Sequence, residues 1–194
     1  MNRTAVRVLA ASAALAATAV ALPSAGATGT PASGSVAVTV TNAFLTQALS
    51  SGIAAVPLPT ATGSYTSTSG ATTSFPVTGG NAVLPRFYGS ITLGGGLAFA
   101  DAQTGKIVCF HQVAFGGDTQ TLTAVPDGAT AAVPLFVLGD NAVSSLDGVK
   151  PETLAGDADV TSAGAAYLDK ALNTTFFAGG QVVGSLNVSF TPAS

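Results

Sequence analysis

The chain has 194 residues, with six Lys and Arg against nine Asp and Glu, one His, one Cys and no Trp. So few cations leave no basic stripe for phosphate contacts, which argues against nucleic acid as a partner and against an anionic membrane surface. Low charge combined with 47% hydrophobic residues argues against a disordered chain, because disorder pairs low hydrophobicity with high charge.

The first residues read as an export signal. Arg3 and Arg7 give a positive start, Val8 to Leu22 is apolar, and Ala25-Gly26-Ala27 supplies a small-residue cleavage site. The apolar run is interrupted by Ser12 and Thr18 and falls short of the roughly 20 residues a membrane span needs. Residues 1–27 are therefore expected to be a secretory signal peptide, and the protein to be secreted, extracellular or associated with the cell wall. Without Arg3 and Arg7, four basic residues stand against nine acidic ones, a formal charge of −5. The lone Cys109 cannot close an intrachain disulfide, so stability must come from burial.

Residues 28–34 read as a flexible lead-in, and a single domain is expected over 35–192. "SVAVTV" places Val36, Val38 and Val40 on one face, the alternation of a half-buried strand. Asn42 is the expected cap of a short helix, "AFLTQALSSG", that ends at Gly52. "AAVPLPTATGS", "TTSFPVTGG", "FYGSITLGGGLAF", "KIVCFHQVAF", "TQTLTAV", "VPLFVLG" and "NAVSSLDGV" follow as β-type runs, separated by Gly, Pro, Asp and Asn at intervals near ten residues. The run Gly94-Gly95-Gly96 interrupts one of them, which marks a bulge, a bend or a close approach. Thr104-Gly105 fits a hairpin that pairs the strands on either side of it antiparallel. "TSAGAAYLDKALN" is a helix capped by Thr161 or Ser162, and the last strand, "QVVGSLNVSF", sets Val182, Leu186, Val188 and Phe190 on one face. The expected fold is all-β: an antiparallel β-sandwich with one or two short helices.

Catalytic equipment is sparse. His111 is the only histidine and no G-x-S-x-G elbow accompanies it. In the strand reading it shares a face with Ile107, Cys109, Val113 and Phe115, as a core or rim histidine, and a role as ligand or base is the sharper alternative. One His and one Cys fall short of a zinc site. Cys109 reads as a small buried hydrophobe rather than a reactive thiol. Asp157 with Asp159, or Asp140 with Asp147, offer oxygens for Ca²⁺ but lack a spaced ligand series and read as solvated turns. Tyr65 and Tyr88 are free to act as surface anchors for a ligand, whereas Tyr167 belongs to the apolar stripe of its helix.

Across "SFPVTGG", "YGSITLGGGLAF", "QTLTAV" and "LAGDADVTSAGAAYLDKALNTTFFAGGQVVGSLNVSF" the chain resembles the haem-transport-associated (HtaA-type) domain of secreted and surface proteins of Gram-positive bacteria. The resemblance runs from about Val36 to Phe190 and implies a β-sandwich with two short helices. It also implies a haem site, with an axial tyrosine in a Ser-Phe-x-x-Tyr segment of the first helix and a supporting histidine in a His-x-Gly-x-Leu motif. With Phe44 set on the motif's Phe, Ala43 stands at its serine and Gln47 at its tyrosine. Leu93 to Leu97 falls on the second motif, with Leu93 where the histidine would be. Phe176 and Phe177 occupy the region of a later tyrosine that helps some members hold the haem propionates. Leucine and glutamine supply neither an anionic oxygen ligand nor a proton relay.

The expected function is thus a secreted, non-catalytic binding or cell-surface module of the HtaA type without the usual haem ligands and with an unidentified surface or extracellular partner. A haem-acquisition protein with altered ligation, through His111, Tyr88 or Tyr65, is the alternative. A hydrolase built on His111 and a nearby serine is the third reading.

Overall fold

The computed structural model describes residues 29–194, so the expected signal peptide over 1–27 lies outside the described residues. In chain order the elements are β1 (Ser33–Val40), α1 (Asn42–Ser50), β2 (Ile53–Leu58), β3 (Thr62–Thr66), β4 (Gly70–Gly80), β5 (Ser90–Leu93), β6 (Gly96–Asp101) and β7 (Lys106–Gly116). They continue with β8 (Thr121–Pro126), β9 (Val133–Leu138), β10 (Val143–Ser144), β11 (Glu152–Val160), α2 (Ser162–Leu172) and β12 (Val182–Thr191). A one-turn 3-10 helix, Leu84–Arg86, precedes β5.

The antiparallel β architecture with two short helices agrees with expectation, but the sandwich does not. The sheet runs β7-β5-β4-β1-β12-β11-β9-β8, and β8 pairs back onto β7, closing an eight-stranded barrel. Closure removes sheet edges that a sandwich would leave free. It is made possible by two long strands of 11 residues, β4 and β7, each bent by a register shift where it changes partner.

That change of partner splits the sheet. One edge of β4 carries β3 and then β5, while one edge of β7 carries β6 and then β5. Beyond β5 the wall therefore forks into a β4–β3 arm and a β7–β6–β2 arm. "FYGSITLGGGLAF" is accordingly two strands, with Gly94 and Gly95 between them and Gly96 opening β6. Gly95 has φ +88°, and a Cβ there would stand 2.4 Å from the Ala61 nitrogen; at Gly96 it would stand 2.2 Å from the Phe110 oxygen. The triplet thus serves the close approach that its composition suggested, letting the β2–β3 turn and β7 come near.

The bulge in β7 also corrects the face assigned to His111. Gln112 takes φ +50° and the pairing to β8 shifts between His111 and Ala114. The extra residue inverts the alternation. Val113 and Phe115 point into the core, whereas Ile107 and His111 are exposed and Cys109 is half-buried. The register shift between Ala158 and Asp159 does the same to β12, so Val183 is buried and Val182 exposed.

Other differences are local. β1 starts at Ser33, inside the expected lead-in. Thr41, not Asn42, caps α1, its Oγ1 accepting the Phe44 N–H at 3.3 Å. "NAVSSLDGV" contributes only the two residues of β10. The segment of Asp157 and Asp159, expected as a turn, is the barrel strand β11, with Leu154, Ala158 and Val160 buried. At its start buried Glu152 accepts the Leu84 N–H at 2.8 Å and a hydrogen bond from Lys150 Nζ, tying the 3-10 turn to the barrel end.

Candidate functional site

The fork is roofed by α1. Thr41 starts the helix directly after β1, and Asn42 Nδ2 donates to the Ser67 oxygen of the β3–β4 hairpin at 2.8 Å. The apolar positions of α1, Phe44, Leu45, Ala48 and Leu49, recur at helical spacing and face the barrel. Beneath them lies a cavity of about 160 Å³, walled by Val38, Val40, Phe75, Leu97, Phe99 and Phe177 among others, with Thr73 its one polar side chain. It is small beside the roughly 300–1,000 Å³ of ordinary ligand pockets.

A run of edge-on aromatic contacts passes through its lining at Phe44, Phe177 and Phe99. Phe44 meets Phe176 at 5.6 Å between ring centroids, Phe176 meets Phe177 at 5.0 Å, and Phe177 meets Phe99 at 6.0 Å. Phe99 then meets Phe110, and Phe110 meets Tyr167 of α2, at 5.9 and 5.7 Å. Such T-shaped pairs are favourable beyond their buried area, and they link α1 to α2 through the core. The expectation for α1 rests on its cap and its end alone; the spacing of Phe44, Leu45, Ala48 and Leu49 is a signal it leaves unused, and no local pattern shows that a forked sheet would leave them a cavity to cover.

The residues singled out in the sequence lie elsewhere. Tyr65 on β3 and Tyr88, after the 3-10 turn, are 66% and 65% exposed. His111 is exposed on β7, with its Nε2 3.0 Å from Asp127 Oδ1. These three residues sit on separate elements, and none borders the cavity. The His111 imidazole has Asp127 as its side-chain partner and no serine hydroxyl bonded to it among the described residues.

The two positions at which the resemblance would put haem ligands do not converge either. Gln47 lies on the exposed side of α1, Leu93 is 6% exposed at the end of β5, and neither borders the cavity. A solvent-facing amide and a core leucine do not fit that ligand pair, and the cavity is too small for a porphyrin.

The aspartates separate into two groups. Asp147 pairs with Arg86 at 2.6 Å, and the guanidinium holds its carboxyl below the usual range. Asp159 lies near Gly139 with Asp157 and Asn141; burial and then the charges of Asp157 and Asp140 push its carboxyl up. No set of three His, Cys, Asp or Glu side chains among the described residues is arranged to hold a metal ion.

No family model and no curated protein matches the sequence. Among solved structures the chain is similar to the C-terminal domain of HtaA from Corynebacterium glutamicum, at a TM-score of 0.54 and 15% identity over 84% of this chain and 99% of that one. The chain has an HtaA-like fold.

Proposed function

We propose that the protein is a secreted, non-catalytic binding or cell-surface module that uses the HtaA-like scaffold without the haem ligation associated with such domains. The observation that carries this reading is the fate of the two ligand positions: Gln47 is turned to solvent and Leu93 is packed in the core. A fold does not bring its function with it, and the chemistry must be argued from the residues at the site. The non-catalytic part rests on His111, whose partner is an exposed carboxylate rather than a nucleophile.

A haem titration followed by absorbance, with His111→Ala run in parallel, tests the reading. The expected result is no saturable Soret band. A saturable band near 1:1 overturns it in favour of haem binding through other ligands, and loss of the band in His111→Ala identifies the imidazole as one of them.

A further inference from the structure

Folded interiors leave few voids larger than a water molecule, so the 160 Å³ cavity under α1 calls for an occupant. Water suits it poorly. A buried water needs two to four polar partners, and Thr73 is the one polar side chain in the lining. Hydrocarbon suits it well: an apolar cavity of about 150 Å³ lined by Leu, Ile and Phe stays dry and accepts benzene or xenon.

The rim adds a direction. Leu49, 65% exposed, and the exposed Ala54 and Ala55 border the cavity and also meet solvent, marking an entrance between α1 and β2. Pro57 is half-buried and two residues on from Ala55, hence on the same face of β2 as the cavity-lining Ile53. The apolar surface therefore continues outward from the cavity as a track. A compact molecule would fill the cavity alone, whereas an elongated one gains from the track as well.

We propose that this cavity binds the end of a single unbranched alkyl chain, entering between α1 and β2 and leaving its polar end in water. The site is distinct from the Gln47 and Leu93 positions and stands whether or not haem binds the protein by another route.

The test is a calorimetric titration of the protein with n-alkanols from butanol to decanol, with benzene as the compact comparison. Affinity is expected to rise about fourfold per added methylene while the chain still finds apolar surface, and then to level off. Ala48→Leu, which fills the cavity from α1, should weaken octanol binding at least tenfold. Methyl NMR of the unmodified protein guards against a variant that misfolds: octanol should shift Val38, Leu45 and Leu97. Absence of saturable binding, an affinity independent of chain length, or shifts confined to other methyls overturns the proposal. Benzene binding as tight as octanol overturns the elongated ligand. Phosphatidylcholine vesicles distinguish the source: co-sedimentation lost in Ala48→Leu supports a chain drawn from a bilayer, and alkanol binding without co-sedimentation supports a free amphiphile.

Discussion

The two helices cover opposite fortunes of the same sheet. α2 packs on the closed flank of the barrel, where Gly164, Ala165, Leu168 and Leu172 are buried; α1 spans the fork and buries Ala48 alone. Their caps follow suit. Thr161 Oγ1 accepts the Gly164 N–H at 2.9 Å and also donates to the Pro134 oxygen of β9, while the Thr41 cap bond is 3.3 Å long. Hydrophobic patterning alone ranks the helices as similar. What separates them is whether the strands beneath are paired: a continuous wall gives a helix a surface to seal, and a forked one gives it a gap to bridge.

Substitutions should widen or erase that contrast. Leu168→Ala removes a fully buried side chain from α2 and should cost about 2–5 kcal/mol in urea unfolding. Leu49→Ala, on the exposed rim of α1, should stay within about 0.5 kcal/mol. Equal losses would mean that α1 is as tightly seated as α2.

Gly164→Ala comes next. Its Cβ would stand 2.7 Å from the Pro134 oxygen and 2.9 Å from the Leu135 oxygen, so α2 must lift from β9 at a cost of about 1–3 kcal/mol. An unchanged midpoint would show the contact to be soft. The caps give a smaller difference: Thr161→Ala is expected near the upper end of about 0.5–2 kcal/mol and Thr41→Ala near the lower. Thermal unfolding of both variants under one set of conditions reads the order directly.

The smallest effect concerns Asp159, beside α2, and is one of pH. Its carboxyl titrates above the ordinary 3.8 because of burial and neighbouring negative charge. The native state thus holds the proton longer than the unfolded chain, and that stabilisation, full below 3.8, is lost as pH rises through the raised value. Asp159→Asn should therefore have a higher Tm than the unmodified protein at pH 7 and no advantage at pH 3. The opposite pattern would mean that the carboxylate makes a favourable interaction in the fold.

Much of the architecture could be read from spacing. The strands around Thr104-Gly105, the Thr161 cap and the alternation of Val36 and Val38 were legible because each depends on neighbours in sequence. Failures fell where a single inserted residue reversed the alternation. Gln112 turned His111 outward, and the shift at Ala158 exchanged Val182 for Val183. β11 was missed because Gly156, Asp157 and Asp159 are poor strand formers, although Leu154, Ala158 and Val160 kept the right parity. Barrel closure depends on β7 meeting β8 along one edge and on β4 and β7 sharing β5. No local pattern encodes that, and the cavity follows from it.

The antiparallel seam between β1 and β12 carries a mechanical consequence. Ser33 pairs with Thr191, and the Ser194 N–H donates to the Thr30 oxygen at 3.1 Å, so both ends of the described residues leave the barrel at one place. Tension applied between those ends loads the hydrogen bonds of the seam in succession, beginning at Ser33 and Thr191, instead of shearing them together. The hydrogen bonding of the barrel closes into a ring, but under a pull from its ends the ring would open like a zip.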